Sequence, residues 1–144
     1  ALPILQGSTS LLDNQVKNVN LPDGTLVDRH LPQAPHTSAQ GLARYEFPVG
    51  PGYLALQGDV QYTGKFCFSV LCAPVEREGA HTVYNARVSW APTGKKWEAA
   101  FFLNNITNEI YRVYTYDVAL STGQIPSVYA KPQTWGVSLT YHFN

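Results

Sequence analysis

Residues 134–143, "TWGVSLTYHF", alternate without a break. Trp135, Val137, Leu139, Tyr141 and Phe143 are apolar, whereas Thr134, Gly136, Ser138, Thr140 and His142 are small or polar. A strict period of two marks a strand whose two faces meet different surroundings. A chain built on this pattern must bury one face of a sheet and leave the other wet.

Four further stretches alternate in the same way. "AQGLARYEF" sets Ala39, Gly41, Ala43, Tyr45 and Phe47 against Gln40, Arg44 and Glu46. "YLALQGDVQYT" sets Leu54, Leu56, Gly58, Val60 and Tyr62 against Ala55, Gln57, Asp59 and Gln61. "TVYNARVSW" sets Tyr84, Ala86, Val88 and Trp90 against Asn85, Arg87 and Ser89. "WEAAFFLNN" sets Trp97, Ala99, Phe101 and Leu103 against Glu98, Ala100, Phe102 and Asn104, with Phe102 the clearest exception to the polar face. No stretch carries a helical apolar stripe for three turns. The expected class is all-β, with about five antiparallel up-and-down strands.

Charged residues make up only 14% of the chain and the formal net charge is zero, against 44% hydrophobic residues. This balance argues against disorder and against a nucleic-acid footprint. No apolar run approaches the length of a membrane helix, and no charged-then-apolar leader is present. A membrane β-barrel stays open, because its signal per strand is weaker. The absence of Met reads as a processed or truncated chain.

The connections carry more information than the strands. "PVGPG" and "APTGKK" are short; "GKFCFSVLCAPVEREGAH" and the stretch from about 107 to 131 are long. Short and long alternate, so an up-and-down sheet gathers the short turns at one end and the long loops at the other. Outer-membrane barrels have this asymmetry, with short periplasmic turns and long extracellular loops. Residues 1–38, with "LPDGT" and "LPQAP", are then expected to form an extracellular loop and irregular segment, and residues 39–144 the strands. On the apolar face Tyr45, Phe47, Trp90, Trp97, Tyr141 and Phe143 fall at the short-turn end, with Tyr62 and Tyr84 toward the loops. Such rings favour the headgroup level of a bilayer. A soluble antiparallel sandwich also alternates; it would bury Leu54, Leu56, Val60, Val137 and Leu139 under a second sheet.

"WEAAFFLNNITNEIYRVYTYDV" followed by "YAKPQTWGVSLTYHF" resembles the C-terminal end of TonB-dependent outer-membrane receptors. That end has a strand opening with Trp, then Asn-Leu-Thr-Asp and a Tyr, then Pro-Arg-Thr-Tyr-Gly leading into the last strand. Asn105, Ile106, Thr107 and Asn108 take the first motif, with Tyr111 after it; Pro132, Gln133, Thr134, Trp135 and Gly136 take the second. "YNARVSW" is similar to the antepenultimate strand of the family. The resemblance covers roughly residues 31–144. Asn108 for the usual acid, Gln133 for Arg and Trp135 for Tyr are departures.

The resemblance implies a transmembrane barrel of about 22 strands closed by an N-terminal plug. Five strands cannot close a barrel, so the chain is expected to be the C-terminal portion of a receptor in the bacterial outer membrane. It further implies active uptake of a scarce small-molecule ligand such as a siderophore, cobalamin or carbohydrate. The implied partners are outer-membrane lipid, the barrel-assembly machinery during insertion, and TonB through a plug outside this stretch. The ending resembles the terminal assembly signal, carried here by Tyr141 and Phe143; the family usually ends on Phe, whereas Asn144 follows here. The alternatives from the residues alone are a soluble β-sandwich binding module and a passive porin segment.

Cys67 and Cys72 are the only cysteines, in one short segment of a long loop. On an oxidising side of the membrane an even local pair fits a disulfide, expected to hold Phe68, Val70 and Leu71 facing outward. Two free thiols or a thiol pair on a metal are the alternatives. His30, His36, His81 and His142 lack metal-ligand spacing. Asp59, Arg87 and Glu98 could form a catalytic set, but a polar lumen lining accounts for them. "NIT" at Asn105 matches a glycosylation sequon, yet reads better as a strand end whose side chains bond the local backbone. No nucleophile elbow or phosphate loop occurs. The expectation is therefore no enzyme, no cofactor, no metal and no nucleic-acid partner.

Overall fold

The computed structural model describes residues 3–94 and 96–143, with Leu120 described by its backbone alone. In chain order, β1 (Pro3–Leu11) is followed by a small hairpin of β2 (Val16–Asn20) and β3 (Leu26–Arg29). Next come β4 (Thr37–Val49) and β5 (Gly52–Thr63). A second small hairpin, β6 (Phe66–Cys67) and β7 (Arg77–Glu78), encloses a 3-10 turn at Pro74–Glu76. After β8 (His81–Pro92) and β9 (Trp97–Asn104), β10 (Arg112–Thr115) and β11 (Ser127–Tyr129) flank one short helical turn, α1 (Ala119–Thr122). The last strand is β12 (Thr134–Tyr141).

Six of these strands make one antiparallel sheet in the order β1-β4-β5-β8-β9-β12. The sheet is not closed; β1 and β12 are its two edges. The turns β4–β5 and β8–β9 lie at one end, and the three long connections lie at the other. Gly50 makes the first of these turns possible, with φ at +57° where a side chain would be strained. Gly52 follows, where a Cβ would lie 2.3 Å from the Ala91 carbonyl oxygen and 2.8 Å from the Trp90 ring. The two short turns are tied together, the Thr93 N–H and hydroxyl both donating to the Pro51 carbonyl, at 3.0 and 2.8 Å.

The sheet holds one strand more than the five expected. Residues 1–38 were expected to be loop and irregular segment, yet 3–11 pair along their whole length with β4, from Pro3 opposite Tyr45 to Leu11 opposite Thr37. "PILQGSTSL" hides this role because Gly7, Ser8, Thr9 and Ser10 give its faces little contrast. Pairing with β4, not its own pattern, makes it a strand. Within the loop that follows, 16–20 and 26–29 also pair with each other. Ala1 and Leu2 lie outside the described residues.

Register fixes the faces. Tyr45, Leu56, Val88, Phe101 and Val137 are successive cross-strand partners over five strands. Leu5, Ala43, Gly58, Ala86, Leu103 and Trp135 form a neighbouring rung across all six. No second layer covers this face among the described residues: Leu56 is 42% exposed and Val137 72%. The apolar residues buried among those described are only Ala55, Ala100 and Phe68. The sheet has an apolar side and a polar side, but no core of its own.

Candidate functional site

The short-turn end of the apolar face carries paired rings. Tyr45 and Phe47 lie 5.5 Å apart between centroids, Trp90 and Trp97 5.2 Å, and Tyr141 and Phe143 4.7 Å. The Trp90 indole N–H donates to the Val49 carbonyl at 3.4 Å, so the ring's polar tip is satisfied at the turn. Tyr141 is the last residue of β12, opposite Trp97, and Phe143 beyond it is 89% exposed. Asn144 lies outside the described residues. Tyr62 and Tyr84 stand on the same face toward the loops, both exposed.

The other face is lined by paired charges. Arg44 reaches Glu46 at 3.3 Å and the Gln57 amide oxygen at 3.4 Å, and Arg87 reaches Glu98 at 3.0 Å. Asp59 accepts from the Asn85 amide at 2.6 Å. Of the trio Asp59, Arg87 and Glu98, the structure joins the last two and gives Asp59 to Asn85. These partly exposed pairs contribute about 0–1 kcal/mol each; what they set is a polar, charge-balanced surface. Phe102 breaks the pattern because the facing strand leaves room for its ring. It lies opposite Gly136, and a Cβ there would meet its ring at 2.5 Å.

Where β9 ends, Asn105 is buried in a left-handed conformation with φ at +51°. Its side chain accepts from the Glu109 N–H at 2.8 Å and donates to the Glu109 and Lys131 carbonyls at 2.9 and 3.2 Å. The Gln133 N–H donates to Asn108 at 2.9 Å and the Gln133 amide to the Ile106 carbonyl at 2.8 Å. The "NITN" and "PQ" segments thus close the base of the last long loop together. A buried Asn side chain with this many backbone partners fits a turn lock better than a sugar acceptor.

Cys67 and Cys72 are joined in a disulfide, their Cα atoms 5.3 Å apart. Just beyond the bridge Glu76, itself buried, accepts from Ser69 and from the Ala73 N–H at 3.1 Å. The Phe68 N–H donates to the Glu76 carbonyl at 2.9 Å. Phe68 does not face outward as the sequence suggested: it is 7% exposed, packed edge-on to Phe66 beneath the Arg112 guanidinium. Leu71 is exposed and Val70 half-buried. Phe68 turns inward because Arg112 arrives from the β9–β12 connection, far along the chain. Arg112 pairs with Glu78 at 2.7 Å and donates to the carbonyls of Val75 and Arg77. The sequence offered no signal for this tie.

The four histidines stay dispersed. His30 and His36 bond through Nδ1 to the carbonyls of Asn14 and Leu12, at 2.7 and 2.8 Å. His81 stacks on Tyr111 at 4.1 Å. His142 borders a hollow of about 100 Å³ on the polar face with Arg44, Glu46 and Glu98. No group of three or more His, Cys, Asp or Glu could hold a metal among the described residues. At the tip of the first hairpin, the Thr25 hydroxyl and N–H donate to Asp23 at 2.6 and 2.9 Å, which holds that carboxyl below its usual range.

Compared with protein-family models, with curated proteins and with solved structures, the chain matches none.

Proposed function

We propose that this chain is part of the wall of a transmembrane β-barrel in a bacterial outer membrane. The barrel belongs to a TonB-dependent receptor that takes up a scarce small molecule such as a siderophore, cobalamin or carbohydrate. The chain's role is structural and ligand-contacting rather than enzymatic. One observation carries the reading: an uncovered apolar face runs in register across six strands, bordered by aromatic pairs at the short-turn end, while the opposite face is ion-paired. In water such a face is a liability, since burying one large apolar side chain is worth about 1.5–3 kcal/mol. Against lipid it is the stable state.

Strand length supports the same reading. A strand of 12 residues, as in β5 and β8, is about 40 Å long. Tilted by about 40°, it crosses about 30 Å. A soluble sandwich is disfavoured because Leu56, Val137 and Leu139 lie open. A passive porin would share the wall; the ordered "NITN" and "PQTWG" segments favour the receptor.

Surface labelling tests the orientation. In the full-length protein on intact cells, a Cys at exposed Gln124, in a long connection, should react with an impermeant maleimide. A Cys at Gly94, in a short turn where a Cβ meets nothing within 4 Å, should stay unlabelled until the outer membrane is breached. The reverse pattern rejects the topology.

A further inference from the structure

Leu12 and Leu31 are exposed apolar residues away from the sheet's apolar face, at 44% and 47%. Both line one cavity of about 790 Å³ between the β1–β4 and β5–β8 connections, with Ala34, Phe66 and the Cys67–Cys72 disulfide in its wall. Spaces of this size hold one small organic molecule.

The wall is fixed by hydrogen bonds between its parts. The Gln33 N–H donates to the Cys67 carbonyl at 2.7 Å, tying the two connections together. The Leu31 N–H donates to the Asn14 side chain at 2.7 Å. His30 and His36 also border the cavity, and their Nδ1 atoms bond carbonyls, which can only accept; each Nδ1 therefore carries its proton.

The charges around the cavity are unequal. Glu78 is committed to Arg112. Among the described residues the Arg77 side chain bonds only a neutral partner, the Cys72 carbonyl, at 3.4 Å. Lys65 is exposed and has no ion pair or hydrogen bond among the described residues. Lys65 and Arg77 then stand against Asp13 alone.

We propose that this cavity binds a small molecule with a flat apolar body and one anionic group. The body lies against Leu12, Leu31 and Phe66, and the anion sits at Lys65 and Arg77. The purpose of such binding, ligand capture, rests on the receptor reading; the binding itself is a property of these loops.

The test uses the full-length protein carrying this chain, held in amphipol, with equilibrium dialysis of 2-naphthoate and of neutral 2-naphthamide. The acid should bind about tenfold tighter than the amide, the size of a charge-assisted contact. Lys65→Gln, at an exposed site, should erase most of that preference. Ala34→Trp should weaken both probes. Absence of naphthoate binding, equal binding of acid and amide, or indifference to Lys65→Gln and Ala34→Trp would each overturn the proposal. Orientation in the membrane is read separately by the Gln124 and Gly94 labels, so a failure of the receptor reading leaves a different signature.

Discussion

The ring of Phe102 fills the space that a side chain at Gly136 would need, across the β9–β12 pair. Gly136→Val must push this ring off its seat on the otherwise polar face. Overpacking of this kind costs about 1–3 kcal/mol. Urea unfolding of the full-length protein in lipid vesicles should show that loss. Adding Phe102→Ser should recover most of it, because the obstacle is then gone. A double variant no better than Gly136→Val alone would show that the glycine serves something other than the ring.

Phe102 also marks what the sequence could and could not reveal. The five main-sheet strands from β4 onward were legible because alternation is local and their register repeats it, whereas the short pairs β6–β7 and β10–β11 were not. The exception at Phe102 was visible, but its reason lies on another strand. Edge strand β1 was hidden, because Gly7, Ser8, Thr9 and Ser10 carry no facial contrast. At the loop end, the cysteines announced their pairing by proximity in the chain. The inward turn of Phe68 depends on Arg112, whose contact with Glu78 no short-range pattern encodes.

Val137 and its neighbour Ser138 lie on the apolar and the polar face of the sheet, and the proposed membrane wall would set the first against lipid. Val137 sits in the middle rung opposite Phe101, and Ser138 points to the polar side opposite Ala100. In a bilayer, Val137→Arg should cost about 2–4 kcal/mol, whereas Ser138→Arg should stay within about 0.5 kcal/mol of wild type. In water both would be tolerated, since Val137 is already open. Vesicle-based unfolding of the two variants gives the answer, and equal effects would count against a lipid-facing β12.

On the outer-membrane reading proposed above, Phe143 bears on assembly rather than stability. Its ring touches Tyr141 edge-on and is otherwise exposed. Phe143→Ala should therefore change unfolding free energy by no more than about 0.5 kcal/mol, yet lower the amount of full-length protein inserted in the outer membrane. Quantitative immunoblotting of membrane fractions, beside unfolding of the purified variant, checks both halves. Unchanged abundance would remove Tyr141 and Phe143 from the assembly role.

Arg112 is the tie between the second and third long connections. It combines an ion pair to Glu78, in which both side chains are largely covered, with carbonyl contacts at Val75 and Arg77. Hydrogen bonds to charged groups contribute about 1.5–3 kcal/mol where solvent is largely excluded. Arg112→Ala should release both loops and speed proteolysis within 105–133 roughly tenfold. Cleavage rates followed by mass spectrometry read the effect; unchanged rates would mean the loops are held elsewhere.

The disulfide should act on one loop only. Cys67 and Cys72 are separated by 5 in sequence, and so small a closed loop yields about 2 kcal/mol by chain entropy. Just beyond it, Glu76 gathers Ser69 and the Ala73 N–H, and within it Phe68 packs beneath Arg112, so the staple preserves a local knot rather than the sheet. Replacing both cysteines with Ser should leave the unfolding of the sheet nearly unchanged. Amides of 66–78 should exchange hydrogen faster by one to two orders of magnitude, roughly the factor that 2 kcal/mol commands. Mass spectrometry of the non-reduced, alkylated protein should find no free thiol at either position. Two alkylated cysteines, or unchanged exchange in the double Ser variant, would place the stability of this loop in its hydrogen bonds alone.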